Sequence, residues 1–252
     1  MATTFPPSPQ HIFSQRVLAC YESLIASAPT SPNPHLGGSL LYAGQLDDHG
    51  RALVVASNIA GAASLSATDD TAAQKQSIRD GVIDFLVNSL DEALRILKNE
   101  IRKHEPVAVC VSVLPAILEM EMEERGVSPD IQRTAVAGSL AELNRESMAT
   151  DSLALIAWTV SAAPARWLPR LDALALECLS PQDTGARRWL RQSPRYLGRQ
   201  AQELRLLHSN RAVAEQFIAR ARTANIAVPF TIQVTSSVHS EEFHLGPKSL
   251  SP

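Results

Sequence analysis

The sequence predicts an α/β protein: a Rossmann-like parallel sheet with flanking helices, an N-terminal helical arm, and an Arg-rich helical C-terminal part. Three observations carry that expectation. From Ser39 onward short apolar runs alternate with amphipathic stretches, the pattern of strands buried on both faces and joined by helices. Residues 87–109, VNSLDEALRILKNEIRKHEPVAV, read as a strand end, a capped helix and the next strand. Between Asp183 and Ala224 nine arginines stand against three acids.

Each element has its own signal. The first ten residues hold three prolines and are extended. His11 to Ala28 places Ile12, Phe13, Val17, Leu18, Tyr21, Leu24 and Ile25 on one helical face. PTSPNPHLGGS then breaks the chain with prolines and two glycines. Strands are expected at Leu40–Ala43, Asp84–Val87, Val107–Val113 and Leu153–Val160. Between the second and third, Ser89 and Glu92 form a capping box, and Leu90, Ala93, Leu94, Leu97 and Ile101 line one face. Acids lead that helix and Arg102, Lys103 and His104 close it, as the helix dipole prefers. Pro115 and Gly126 frame the next helix. The Arg-rich segment reads as two or three helices, VPFTIQV as a closing strand, and the last residues as a mobile tail. The expected divisions are 1–30, an extended segment and arm; 31–160, the Rossmann-like core; 161–235, the helical part with its closing strand; and 236–252, the tail.

Composition narrows the function classes. A net charge of -3 and a pI near 6.2 argue against a dedicated nucleic-acid binder. Cys20, Cys110 and Cys178 are widely spaced and form no metal-binding pattern, which points to reduced thiols in a cytoplasmic protein. The N-terminus has no basic region followed by an apolar run, and no stretch is long enough to span a bilayer.

Several groups are candidates for chemistry. HLGG, with Gly37 and Gly38, is an anion-binding nest or a flexible entry to the first strand. LDDHGR, with Asp47, Gly50 and Arg51, either closes a β-hairpin or forms the loop between a strand and a helix; its oxygens could also meet a cation, though turns of this kind are ordinarily just solvated. Cys110 and Cys178 read as buried strand residues with no base nearby. The Arg-rich helices, with Trp189 and Tyr196, either recognise phosphate or an acidic partner, or make solvated faces and pair with the acidic helix Glu119–Glu124. His104, His208, His239 and His244 stand singly and support no catalytic triad.

Two stretches resemble the Rossmann-like domain of urocanase, the enzyme that hydrates urocanate using a tightly held NAD as an electrophile. They are IAGAASL, followed by IRDGVIDFLVNSLDEALRI, and RKHEPVAVCVSVLPAILEMEMEERGVSPDI, which ends in a phrase similar to the family's RRGV-x-PD. Order and spacing match over about Gly38 to Ile131, well under half of a urocanase. The departures bear on activity. Where the family has GLGGMGGAQP, this chain has GQLDDHGRAL, which keeps Gly50 and places Asp47 and Asp48 among the lost glycines. Carboxylates there would repel a pyrophosphate. The acid expected on the adenosine ribose is Thr68, with Asp69 beside it. The family's GN is replaced in Ser112–Pro115, and its TDQTSAHDP by QRTAVAGSL, so no catalytic residue carries over from that segment.

Three readings follow. The first is a urocanase-like protein that has lost hydratase chemistry and serves as a small-molecule-binding or interaction module, with no cofactor. The second is an enzyme, a lyase related to urocanate hydratase, that keeps a modified NAD-like site formed by Gly37, Gly38, Asp47, Gly50, Arg51, Asn58 and Asp69. The third is a phosphate or acidic-partner binder acting through the Arg-rich helices. The expected partner is a small molecule or a protein, a second copy included, and neither a membrane nor a nucleic acid.

Overall fold

The computed structural model describes residues 9–27, 35–136, 153–198, 202–236 and 239–247. The chain divides into two compact units, one of residues 1–142 with 195–200 and one of residues 143–194 with 201–252.

The first unit runs α1 (Pro9–Ala26), β1 (Leu40–Gln45), α2 (Asp48–Ala60), β2 (Ala63–Ala67), α3 (Thr71–Arg79), β3 (Phe85–Val87), α4 (Leu90–Lys103), β4 (Ala108–Val111), α5 (Pro115–Glu124) and β5 (Ile131–Gln132). Its five strands pair in parallel in the order β3-β4-β2-β1-β5. Every connection must therefore cross over, and helices supply the crossings. Helix α2 is buried at Gly50 and at every residue from Ala52 to Ala60. Small and β-branched residues suit it, because α1 packs on one side and β1 and β2 on the other. The main core joins Leu40, Leu65, Leu90, Leu97, Val109 and Leu118.

Helix α4 shows how local sequence and packing agree. Ser89 Oγ accepts from the Glu92 amide, and Glu92 reaches back to the amide of Asn88, one residue before the cap. The helix ends on His104, which adopts the left-handed conformation at φ 57°. Leu90 and Leu97 are fully buried, whereas Leu94 and Ile101 are only partly so. The flanking strands β3 and β4 pair in parallel, as that pattern predicts.

The second unit holds β6 (Leu153–Thr159), α6 (Pro164–Cys178), α7 (Thr184–Leu197), β7 (Leu204–Asn210), α8 (Arg211–Thr223), β8 (Phe230–Thr235) and β9 (Ser240–Leu245), although residues 195–197 of α7 fall in the first unit. Its sheet is antiparallel, in the order β7-β6-β8-β9. At its centre Trp158 Nε1 donates to Asp172 Oδ1 at 3.0 Å and Arg205 Nε to Asp172 Oδ2 at 3.1 Å. Burial pushes the Asp172 carboxyl up, with Arg205 and the Trp158 hydrogen bond opposing. Phe217 tilts against Trp158 with ring centroids 5.0 Å apart.

Four expectations change here. Leu153–Thr159 is not a strand of the parallel sheet; it pairs antiparallel with β7 and β8. The helical arm is not a separate division, since α1 belongs with the Rossmann-like sheet. The Arg-rich segment is not all helix, because β7 lies inside it, alternating side chains between its two faces. Finally, the tail contains β9, which pairs along its length with β8. Residues 248–252 and Arg199 lie outside the described residues.

Candidate functional site

Strand β1 lies between β2, which follows it directly in sequence, and β5, which arrives last. The strand order reverses there, and ligands of open parallel sheets settle at the carboxyl ends of such strands. β1 reaches that edge through a bulge: its register with β2 shifts between Tyr42 and Gly44, and Gly44 takes φ +67°. Only glycine adopts that conformation without strain. The chain then turns at Leu46, Asp47 caps α2, and the helix begins. The turn is therefore the loop of a strand–loop–helix unit, and the hairpin alternative is excluded. Its tightness explains Gly50, where a Cβ would stand 2.0 Å from the Gln45 carbonyl oxygen.

The cap is an electrostatic knot. Asp47 Oδ1 accepts from the Gly50 amide at 2.7 Å. The Arg133 guanidinium, one residue beyond β5, donates to both Asp47 oxygens at 2.8 and 3.1 Å. It also donates to the carbonyl of Gln45 at 3.0 Å and to that of Ala43 at 3.4 Å. Burial pushes the Asp47 carboxyl up, but the bonds from Arg133 and the Gly50 amide outweigh it and hold the group below its ordinary range. His49 is held below its usual value by burial and by the Arg133 and Arg16 charges, with Asp47 opposing. Arg51 pairs with Asp80 at the start of the same helix.

Beside this knot lies a groove of about 920 Å³ between α5 and the carboxyl ends of β1 and β5. Leu114, Pro115, Met122 and Val127 supply apolar walls, and Tyr42, Gln132 and Arg133 the polar contacts. The Tyr42 hydroxyl donates to Glu119 Oε1 at 3.0 Å; burial first, then that bond, raise its pKa. The Gln45 side chain extends over the end of β2, its Nε2 3.4 Å from Thr68 Oγ1.

Of the candidate site residues, the structure brings Asp47, Gly50 and Arg51 together at this edge, with Asp69 just past β2. Asp69 is exposed, and its neighbour Asp70 is used as the cap of α3. The others stand elsewhere. Gly37 and Gly38 precede β1, hence lie at the opposite edge of the sheet, where the Gly37 carbonyl contacts His104 Nδ1 at 3.0 Å. Asn58 is eleven residues beyond Asp47 along α2, about 16 Å away at the helical rise. Sequence reading passed over Arg133 and Gly44. Nothing local marked either one.

Residues 14–137 match the sequence model of the family described as the urocanase Rossmann-like domain. This segment is similar to the urocanase Rossmann-like domain. The match runs from within α1 through β5 and stops short of the antiparallel unit.

The urocanase Rossmann-like domain is NAD-related, so the fit of NAD can be tested on the residues present here. A urocanase-type turn must offer a pyrophosphate the first-turn amides of α2. In this domain the Asp47 carboxylate already accepts from one of those amides and Arg133 already neutralises that carboxylate. Asp48 beside it is 85% exposed and lies 3.7 Å from Arg16, so Asp47 is the carboxylate that occupies the turn. The turn as built does not fit a pyrophosphate.

The thiols are buried, and four arginines of the antiparallel unit are paired within it. Cys20, Cys110 and Cys178 are free and buried. Burial pushes the Cys20 thiol up to about 11 and raises the other two. Cys110 lies on β4 as expected, but Cys178 ends a helix rather than lying on a strand. In the antiparallel unit Arg187 donates to the carbonyls of Leu176 and Leu179, Arg205 binds Asp172, Arg211 binds Glu215 and Glu241, and Arg220 binds Glu177. These partners replace the acidic helix Glu119–Glu124 expected from sequence. Among the described residues no helix is long and apolar enough to cross a membrane.

Proposed function

We propose that this chain is a small-molecule-binding relative of the urocanase Rossmann-like domain, without urocanate hydratase chemistry, and that its ligand lies where β1, β5 and α5 meet. The groove carries this reading. Its volume of about 920 Å³ falls in the range of small-molecule sites, and it combines apolar walls with a few convergent polar groups. It also lies at the strand-order reversal, where this class of sheet binds ligands. Two features support the loss of hydratase chemistry: the turn before α2 does not fit the family's NAD, and the TDQTSAHDP phrase is replaced by QRTAVAGSL. The buried free thiols support a reducing, cytoplasmic setting. Nucleic acid is not the partner in this reading, because Arg187, Arg205, Arg211 and Arg220 are each engaged within their own unit.

The test has two arms. Urocanate is offered to the purified protein and followed by ultraviolet absorbance, with no turnover expected; turnover would overturn the loss of hydratase chemistry. A small-molecule library is then screened by thermal shift on the full chain and on Ala116→Trp, which adds a large ring at an exposed position lining the groove. Hits that stabilise the natural protein and not Ala116→Trp are expected. Hits indifferent to that change, or none at all, would overturn the groove as the binding site.

A further inference from the structure

The groove is one half of the switch point; the other half, the turn before α2, is filled by the protein itself. We infer that the Asp47 carboxylate is a resident substitute for a phosphate: it sits on the amides at the start of α2 and is clamped by Arg133, and this one side chain excludes phosphate and pyrophosphate ligands from an otherwise intact anion seat.

The geometry carries the inference through what surrounds the carboxylate. A 13-residue helix with a fully buried body presents its positive end here. The turn is so tight that only glycine fits at position 50, where a Cβ would meet the Gln45 carbonyl oxygen, and the Gly50 amide is held on Asp47 at 2.7 Å. Arg133 Nη2 donates to both oxygens of the carboxylate, a charge-assisted contact of the kind guanidinium makes with carboxylate and phosphate alike. Its remaining contacts, to the Ala43 and Gln45 carbonyls, fix it in place without using Asp47. Removing the charge at position 47 therefore leaves a positioned cation beside free amides. Two arginines stand nearby, but Arg51 is taken by Asp80 and Arg16 lies 3.7 Å from Asp48, so neither supplies the seat. The natural pairing also joins the loop after β1 to the segment after β5, so the domain holds its switch point together with no bound cofactor.

The probe is inorganic pyrophosphate, with NAD as a second ligand, read by the thermal unfolding midpoint of the natural protein, Asp47→Ser, Asp47→Gly and Asp47→Ser with Arg133→Ala. Serine keeps an N-cap acceptor while removing the charge, and glycine clears the amides entirely. The natural protein should show no shift with either ligand. Asp47→Ser or Asp47→Gly should rise by about 3 °C or more at a pyrophosphate concentration ten times the Kd. The doubly substituted protein should lose that rise. Pyrophosphate or NAD stabilising the natural protein would overturn the inference whatever the variants do. So would a rise that survives loss of Arg133, or the failure of both single variants to gain one. The readout does not use the groove ligand, so this inference and the groove reading fail separately, and urocanate turnover tests the loss of hydratase chemistry apart from both.

Discussion

The two units bury different kinds of centre. The parallel unit is held by aliphatic and small side chains, with Leu65, Leu90, Val111 and Leu118 fully enclosed, and its Arg133–Asp47 ion pair sits at the edge where the strands end. The antiparallel unit instead encloses a carboxylate, with Asp172 and Arg205 at 11% and 10% side-chain exposure beneath Trp158. An aliphatic core is tolerant of exact partners and unforgiving of lost volume. A buried charged centre is the reverse, since each member keeps its charge only because the others are present.

That contrast can be broken most forcefully in the parallel unit. Leu90→Ala, at a fully buried position of α4, should cost about 3 kcal/mol through lost burial and the cavity left behind. Leu94 is only half-buried, so the same change there should cost less. All three tryptophans of the chain, Trp158, Trp167 and Trp189, lie in the antiparallel unit. Urea unfolding followed by tryptophan emission therefore reports that unit, while circular dichroism reports both. Leu90→Ala should move the dichroism curve and leave the emission curve in place.

Asp172→Asn should do the opposite, moving the emission midpoint at a cost of about 2 kcal/mol. The amide oxygen still accepts from Trp158, but Arg205 loses its counter-ion inside the unit. An emission midpoint unmoved by this change would mean that the pair contributes nothing net to stability.

The smallest effect is one of pH, and the two carboxylates have opposite signs. Asp47 is held below its ordinary 3.8, so its contribution is present above that value and is lost as pH falls through the lower folded-state value. Asp172 is raised above 3.8, so ionising it costs the folded state, and its contribution is present below 3.8 and lost as pH rises through the higher folded value. Asp47→Ser should flatten the acid limb of the dichroism-detected stability by under about 1 kcal/mol, because nearly half of that carboxylate faces solvent. An unchanged acid limb would show that Asp47 is not the titrating group.

Legibility in sequence followed the same division. α4 announced itself because cap, period, charge order and burial all agree over residues 89–104. β2 did not, since ASLSA is wholly buried yet carries two serines in place of the branched residues that mark a strand. β7 was hidden by arginines whose partners, Asp172 among them, are remote in sequence. At the site, Asp47 was visible as a departure from a glycine loop and Gly50 as the glycine retained. Their meaning depended on Arg133, 86 residues away from Asp47, and no local rule joins the two.

The shortness of β5 has a dynamic consequence. Only Ile131 and Gln132 pair with β1. The strand is otherwise fastened by two side chains, the Asp130 carboxylate on the Leu40 amide at one end and Arg133 on the Ala43 and Gln45 carbonyls at the other. So few backbone bonds place this edge at the low end of the unit's opening free energies, far below the β1-β2-β4 centre. Gln132 and Arg133 line the groove. Its wall is thus the part of the sheet expected to open first, and amide exchange at residues 131–133 should run ahead of exchange along β1, β2 and β4, slowing if a ligand of the proposed kind fills the groove.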